Sequence, residues 1–104
     1  MTAFTAFISD KGYTGFSVSG HSGYAAAGKD IVCAAVSSAV SLALSLIEKT
    51  GCELSLDVSD DNAYVGLELF PNEKSDLVIE TLREHLESIA DEYGKFLSVT
   101  VKRR

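Results

Sequence analysis

Residues 30–51 read DIVCAAVSSAVSLALSLIEKTG, and the fold turns on how that stretch is read. Asp30 is a good N-cap, Thr50-Gly51 supplies a stop, and no Gly or Pro interrupts the residues between. The pattern predicts a helix from Ile31 to Lys49. Almost every face of it is apolar, with Ile31, Val32, Val36, Ala39, Val40, Leu42, Ala43, Leu44, Leu46 and Ile47 spread around the axis. Such a helix is expected to be buried on most sides, by a sheet and by a second copy of the chain. The exception is the row Ser37, Ser41, Ser45 at spacing four, with Cys33 at its head. Those serines break the run short of the ~18 apolar residues of a membrane span, so no spanning segment is expected.

Outward from this helix the chain alternates. Residues 2–9 are β-branched and aromatic, Asp10-Lys11-Gly12 makes a turn, and Tyr13 to Ser19 forms the second arm of a hairpin. Downstream, Glu53 to Ser59 and Tyr64 to Phe70 alternate with period two around Asp60-Asp61-Asn62, a second hairpin. Pro71-Asn72 breaks the chain. Residues 73–93 then place Val78, Leu82, Leu86, Ile89 and Tyr93 on one helical stripe, closed by Gly94. Lys95 to Val101 reads as a last strand, followed by the basic tail Lys102-Arg103-Arg104. The order ββαββαβ predicts an α+β domain, a mixed β-sheet packed with two helices, over residues 1–104.

Composition narrows the function classes. A chain of 104 residues with 46% hydrophobic residues builds one core without disulfides. Nine Lys and Arg against 15 Asp and Glu leave a net charge of −6, which repels nucleic acid and favours a basic partner. Met1-Thr2-Ala3-Phe4 begins no basic or apolar leader, so a cytoplasmic protein is expected. Cys33 and Cys52 form no disulfide framework or CxxC motif, and with His21 and His85 they lack zinc spacing. No metal or cofactor is expected.

The chemistry concentrates just upstream of the long helix. Gly20-His21-Ser22-Gly23-Tyr24 is followed by Gly28-Lys29-Asp30-Ile31-Val32-Cys33-Ala34-Ala35-Val36-Ser37. In a helix's first turn, the positive end of the peptide dipoles favours thiolate over thiol. An imidazole on the preceding loop is suited to take the thiol proton and return it to a leaving group. Cys33 is therefore the candidate nucleophile and His21 the candidate acid–base. Asp30 has two readings, cap of the helix and orienting partner for His21. Gly20, Ser22, Gly23, Tyr24 and Gly28 form a candidate substrate loop, with the glycines as hinges of a lid. A phosphatase would need Arg six residues after the cysteine, where Ala39 stands. Cys52 and His85 read as structural and solvated respectively.

The stretch Gly20 to Ser37 resembles the ribosomal-processing cysteine proteases, whose pattern is Gly-His-Ala-Gly-Tyr, then Gly-x-Asp-Ile-Val-Cys-Ala-Ala-Val-Ser. Ser22 departs from it, standing where alanine is usual. The resemblance implies an endopeptidase with Cys33 and His21 in catalysis. It also implies a substrate, the N-terminal extension of large-subunit ribosomal protein twenty-seven, cut after an aromatic-rich segment. The apolar helix adds the expectation of a homodimer. The competing reading is a non-catalytic module that binds a peptide or an assembling ribosome through the same loop.

Overall fold

The computed structural model describes all residues of the chain except Ser22, Tyr24, Ala27, Gly28, Lys29 and Asn62. Five strands and two helices follow one another as β1 (Thr2–Ser9), β2 (Gly12–Ser19), α1 (Ile31–Lys49), β3 (Leu54–Ser59), β4 (Tyr64–Leu69), α2 (Glu73–Tyr93) and β5 (Leu97–Arg103). They form one mixed sheet in the order β3-β4-β2-β1-β5, antiparallel except for β1 beside β5. The expected ββαββαβ order and α+β class are what the chain adopts.

Both helices lie on one face of the sheet. Register puts Ala6 opposite Phe16 and Phe16 opposite Leu67, and these residues share one buried cluster with Val36, Val40, Ile47, Ile79 and Leu86. Full burial of side chains such as Ile79 or Leu86 stabilises by roughly 1.5–3 kcal/mol each. The opposite face carries Thr5, Ser17, Gly66 and Asp57 at adjoining register positions, the pattern of a sheet wetted on one side.

Four features differ in detail from expectation. First, within one chain α1 buries one stripe (Val32, Val36, Val40, Ala43, Ile47), while Ile31, Leu42 and Leu46 are exposed, left for the expected second copy to cover. A sheet covers one side of a helix, and α2 meets only part of the rest. Second, α1, at 19 residues, does have the length and composition of a membrane span, with a mean hydropathy of 2.0 over an 18-residue window. The serines are too mildly polar to lower that mean, but here the buried stripe is packed into the core. Third, the expected stripe of α2 faces the core, with Leu82 and Leu86 buried and Val78, Ile89 and Tyr93 packed against the same cluster, and Ser75 and Ile79 are buried beside it. Fourth, β5 begins at Leu97 and continues through Arg103, so most of the basic tail is strand. Parallel pairing with β1 extends to Ile8 opposite Arg103, and the Arg104 guanidinium stacks 3.7 Å from the centre of the Phe7 ring.

The end of the sheet nearest the β1–β2 turn is tightly tied. Asn72 and Ser75 form a reciprocal capping box at the start of α2. In the same turn Asp76 Oδ1 accepts the Tyr13 N–H at 2.9 Å. The Tyr13 hydroxyl donates to Glu80, and Arg83 pairs with Glu80 and with Glu87. Burial first, and the Glu80 carboxylate second, push the Tyr13 phenol above its ordinary range. Donation from Tyr13, then from Arg83, holds the Glu80 carboxyl below its own.

Candidate active site

His21 and Cys33 line the same cavities at the other end of the sheet. Cys33 lies in the first turn of α1. Asp30, with extended backbone (φ −82°, ψ 97°), caps that helix: its Oδ1 accepts the Cys33 N–H at 2.9 Å, and its carbonyl accepts the Ala34 N–H at 3.1 Å. Capping is therefore the role the geometry displays for Asp30, and an Asp N-cap is worth about 1 kcal/mol. The same bond occupies the Cys33 N–H.

His21 is placed by the residue before it. The Gly20 N–H donates to the Ala63 carbonyl at 3.0 Å, and the Gly20 carbonyl accepts from the Thr2 hydroxyl at 3.3 Å. Gly20 has φ +84°, and a Cβ there would lie 2.5 Å from the Met1 carbonyl oxygen. Gly20 is thus a pinned joint where β1, β2 and the β3–β4 turn meet. Gly23 differs: it also has a positive φ, +74°, but a Cβ would meet nothing within 4 Å among the described residues. Ser22, Tyr24 and Gly28 lie outside the described residues.

Two cavities meet at the pair. One, of about 260 Å³, is enclosed by His21, Cys33, Val36 and Ser37 on the loop and helix side and by Val18, Val58, Ala63 and Val65 on the sheet side. The other, of about 540 Å³, is lined by His21, Gly23, Ala25, Asp30, Cys33, Ala34 and Ser37. His21, Cys33 and Ser37 belong to both, so space continues on either side of the thiol. That arrangement suits a chain running past the nucleophile with residues on both sides of the reacting bond. Its apolar sheet wall suits a bulky apolar side chain.

The β3–β4 wall was not apparent as part of the site in the sequence. Val58 and Val65 are paired residues on the helix-covered face, but only α1's position over the sheet brings them to Cys33. Ala63 is the clearest omission. It has φ +47°, uncommon for a residue with a Cβ, and it supplies the carbonyl that holds Gly20. Cys33 and Cys52 are both free thiols. Cys52 packs against the core, its Sγ lies 3.8 Å from the Ile47 carbonyl oxygen, and it lines neither cavity. His85 is exposed on α2. Among the described residues no group of three or more His, Cys, Asp or Glu is placed to hold a metal ion.

Comparison with known proteins identifies the family and the fold. Residues 1–98 match the model of a family described as Cysteine protease Prp. The Ribosomal processing cysteine protease Prp of Bacillus subtilis (strain 168) is 36% identical over 99 residues, 88% of each chain. Among solved structures, an essential ribosomal processing protease Prp from S. aureus, in complex with a covalently linked product peptide, superposes with a TM-score of 0.90. It is 22% identical and the match covers 98% of this chain and 100% of that one. A protein from Streptococcus mutans superposes with a TM-score of 0.85 at 24% identity, over 100% and 96% of the two chains. At those identities the structures speak to the fold.

Proposed function

The chain belongs to the Prp family of cysteine proteases, and from that premise we propose that it is an endopeptidase with Cys33 as nucleophile and His21 as general acid–base. The observation that carries the reading is the pair of cavities meeting at His21 and Cys33. The Cys33 thiolate adds to the scissile carbonyl, and the resulting oxyanion is met by the first-turn N–H groups of Ile31 and Val32. As the C–N bond breaks, His21 gives its proton to the departing amine and an acyl-thioester remains on Cys33. His21 then takes a proton from water, hydroxide adds to the thioester, and the acid product leaves with the thiolate restored.

The substrate in this reading is the N-terminal extension of large-subunit ribosomal protein twenty-seven, in keeping with the ribosomal processing activity named for the Bacillus subtilis relative. A net charge of −6 favours encounter with a basic ribosomal protein before it is assembled and disfavours anchoring on RNA. The reaction belongs in the cytoplasm, where such proteins are made. Incubation of the purified protein with the full-length ribosomal protein tests this directly. Mass spectrometry should show a single cut that removes the extension, and the Cys33→Ala protein should release nothing. Binding without a cut would favour the non-catalytic module instead.

A homodimer completes the proposal. Leu42, Leu46, Leu77 and Val78 line a largely apolar groove of about 730 Å³ between α1 and α2, and Leu42 is 64% and Leu77 68% exposed. A second copy laid against it would bury them. Sedimentation should give twice the chain mass, falling to one for Leu42→Lys.

A further inference from the structure

The strand β3 is the open edge of the sheet, and its sides are unlike in a way the core does not explain. Leu54, Leu56 and Val58 pair with Leu69, Leu67 and Val65 and so point to the helix-covered face. Leu67 and Leu69 are buried there, yet Leu54, Leu56 and Val58 are 39%, 47% and 54% exposed. β3 overhangs the helix layer and presents an apolar shelf with a two-residue repeat. Being the last strand, it also turns every second backbone N–H and C=O outward. The shelf runs directly into the catalytic cleft, because Val58 lines the same cavity as Cys33 and His21. On the other face of β3 stands Asp57. The segment between Lys49 and Lys74 carries Glu53, Asp57, Asp60, Asp61, Glu68 and Glu73 without one basic residue, and Arg104, the cation beside this face, pairs with Glu68 at 3.7 Å.

We propose that β3 is an extended-peptide exosite: substrate on one side of the scissile bond adds to it as a sixth strand. Alternate apolar side chains of the peptide cover Leu54, Leu56 and Val58, and intervening Lys or Arg side chains lie beside Asp57. An added strand matches the two-residue repeat of the shelf, supplies partners for the outward backbone groups and delivers its end to Cys33. The ligand class is thus an extended, apolar and basic polypeptide. This rests on the protease reading above and extends it from the cleft to the sheet edge. The opposite edge is built differently: β5 ends in Lys102 and Arg103, charges that discourage strand addition.

The test uses a fluorescent peptide of about twelve residues spanning the junction between extension and mature ribosomal protein, long enough for the cleft and the β3 edge at ~3.3 Å per residue. Two shorter forms are each cut back at one end. Affinity is measured on Cys33→Ala protein, so the answer does not depend on turnover; cleavage by the Cys33 protein, measured in parallel, judges the protease reading separately. Trimming one particular end should weaken binding about tenfold. Leu56→Ser should weaken the full peptide about tenfold but add little for the peptide already trimmed at that end. Asp57→Lys should act in the same selective way, with an effect that fades at high salt. Circular dichroism confirms folding, and Leu54→Ser stands in if Leu56→Ser is unfolded. Equal weakening of all three peptides, or no weakening, would overturn the proposal. So would loss of dimer mass in Leu56→Ser with peptide affinities unchanged, which would assign the edge to a second copy.

Discussion

The two ends of the sheet are built on opposite plans. At the β1–β2 turn, α2 starts with a reciprocal capping box and two first-turn acids, Glu73 and Asp76. Asp76 reaches across to the hairpin, and Tyr13, Glu80, Arg83 and Glu87 form one hydrogen-bonded chain. At the other end α1 starts with Asp30 and no acidic residue in its first turn. Its positive end is turned on Cys33 and the cleft, and the loop before it is rich in glycine. One helix N-terminus is satisfied by side chains for stability. The other carries the Asp30 cap and borders the cavities that Cys33 and His21 line.

The contrast can be broken at several points. The largest effect is expected for Cys33→Ala, which should lower kcat by on the order of 10⁴-fold or more while the melting temperature stays near that of the parent. Cys52→Ser should keep its activity, and a reversal of the two would move the nucleophile. His21→Ala comes next, with about 10²- to 10⁴-fold lost in kcat and peptide affinity on the Cys33→Ala background little changed.

Gly20 and Gly23 sharpen the comparison within the loop itself. Both have positive φ, so alanine at either carries backbone strain of roughly 1–2 kcal/mol. Only Gly20→Ala also drives a methyl into the Met1 carbonyl. Gly20→Ala should therefore lower both the melting temperature and cleavage. Gly23→Ala should lower cleavage several-fold with a melting temperature within a few degrees of the parent. Equal melting curves for the two would mean that the Gly20 joint yields, and hydrogen exchange at Gly20 would then show early opening.

The smallest effect belongs to the tied end. The Glu80 carboxyl is held below its ordinary value near 4.5, by Tyr13 first and Arg83 second. Its contribution is therefore present above that ordinary value and is lost as pH falls through the lower folded one. Since the Glu80 side chain is 41% exposed, solvent screening limits it to less than about 1 kcal/mol. Thermal unfolding followed from pH 6 downward should lose slightly less stability in Glu80→Gln than in the parent, with cleavage at neutral pH unaffected. A parallel acid limb in both proteins would show the network to be energetically silent.

Element identities were written locally and could be read locally. Asp30, Thr50 and the unbroken residues between them define α1, and period-two alternation defines β3 and β4. The motif around His21 and Cys33 was legible for the same reason: its residues are close in sequence. The boundaries that slipped were decided from outside the segment. β5 runs to Arg103 because β1 offers it a partner as far as Ile8, and α2 buries Ile79 because of where the sheet lies. The outcome at Ile31, Leu42 and Leu46 has the same origin. Hydropathy states that a side chain avoids water, not which neighbour will cover it.

Sequence alone thus determined the order of elements, the cap on α1 and the two groups fit for thiol chemistry. Only the tertiary structure decided that Ala63 holds Gly20, that Val58 and Val65 wall the cleft, and that β3 overhangs the helices. Local propensity and periodicity act over a few residues, whereas a cavity is the space left between elements distant in the chain. No segment carries that space by itself.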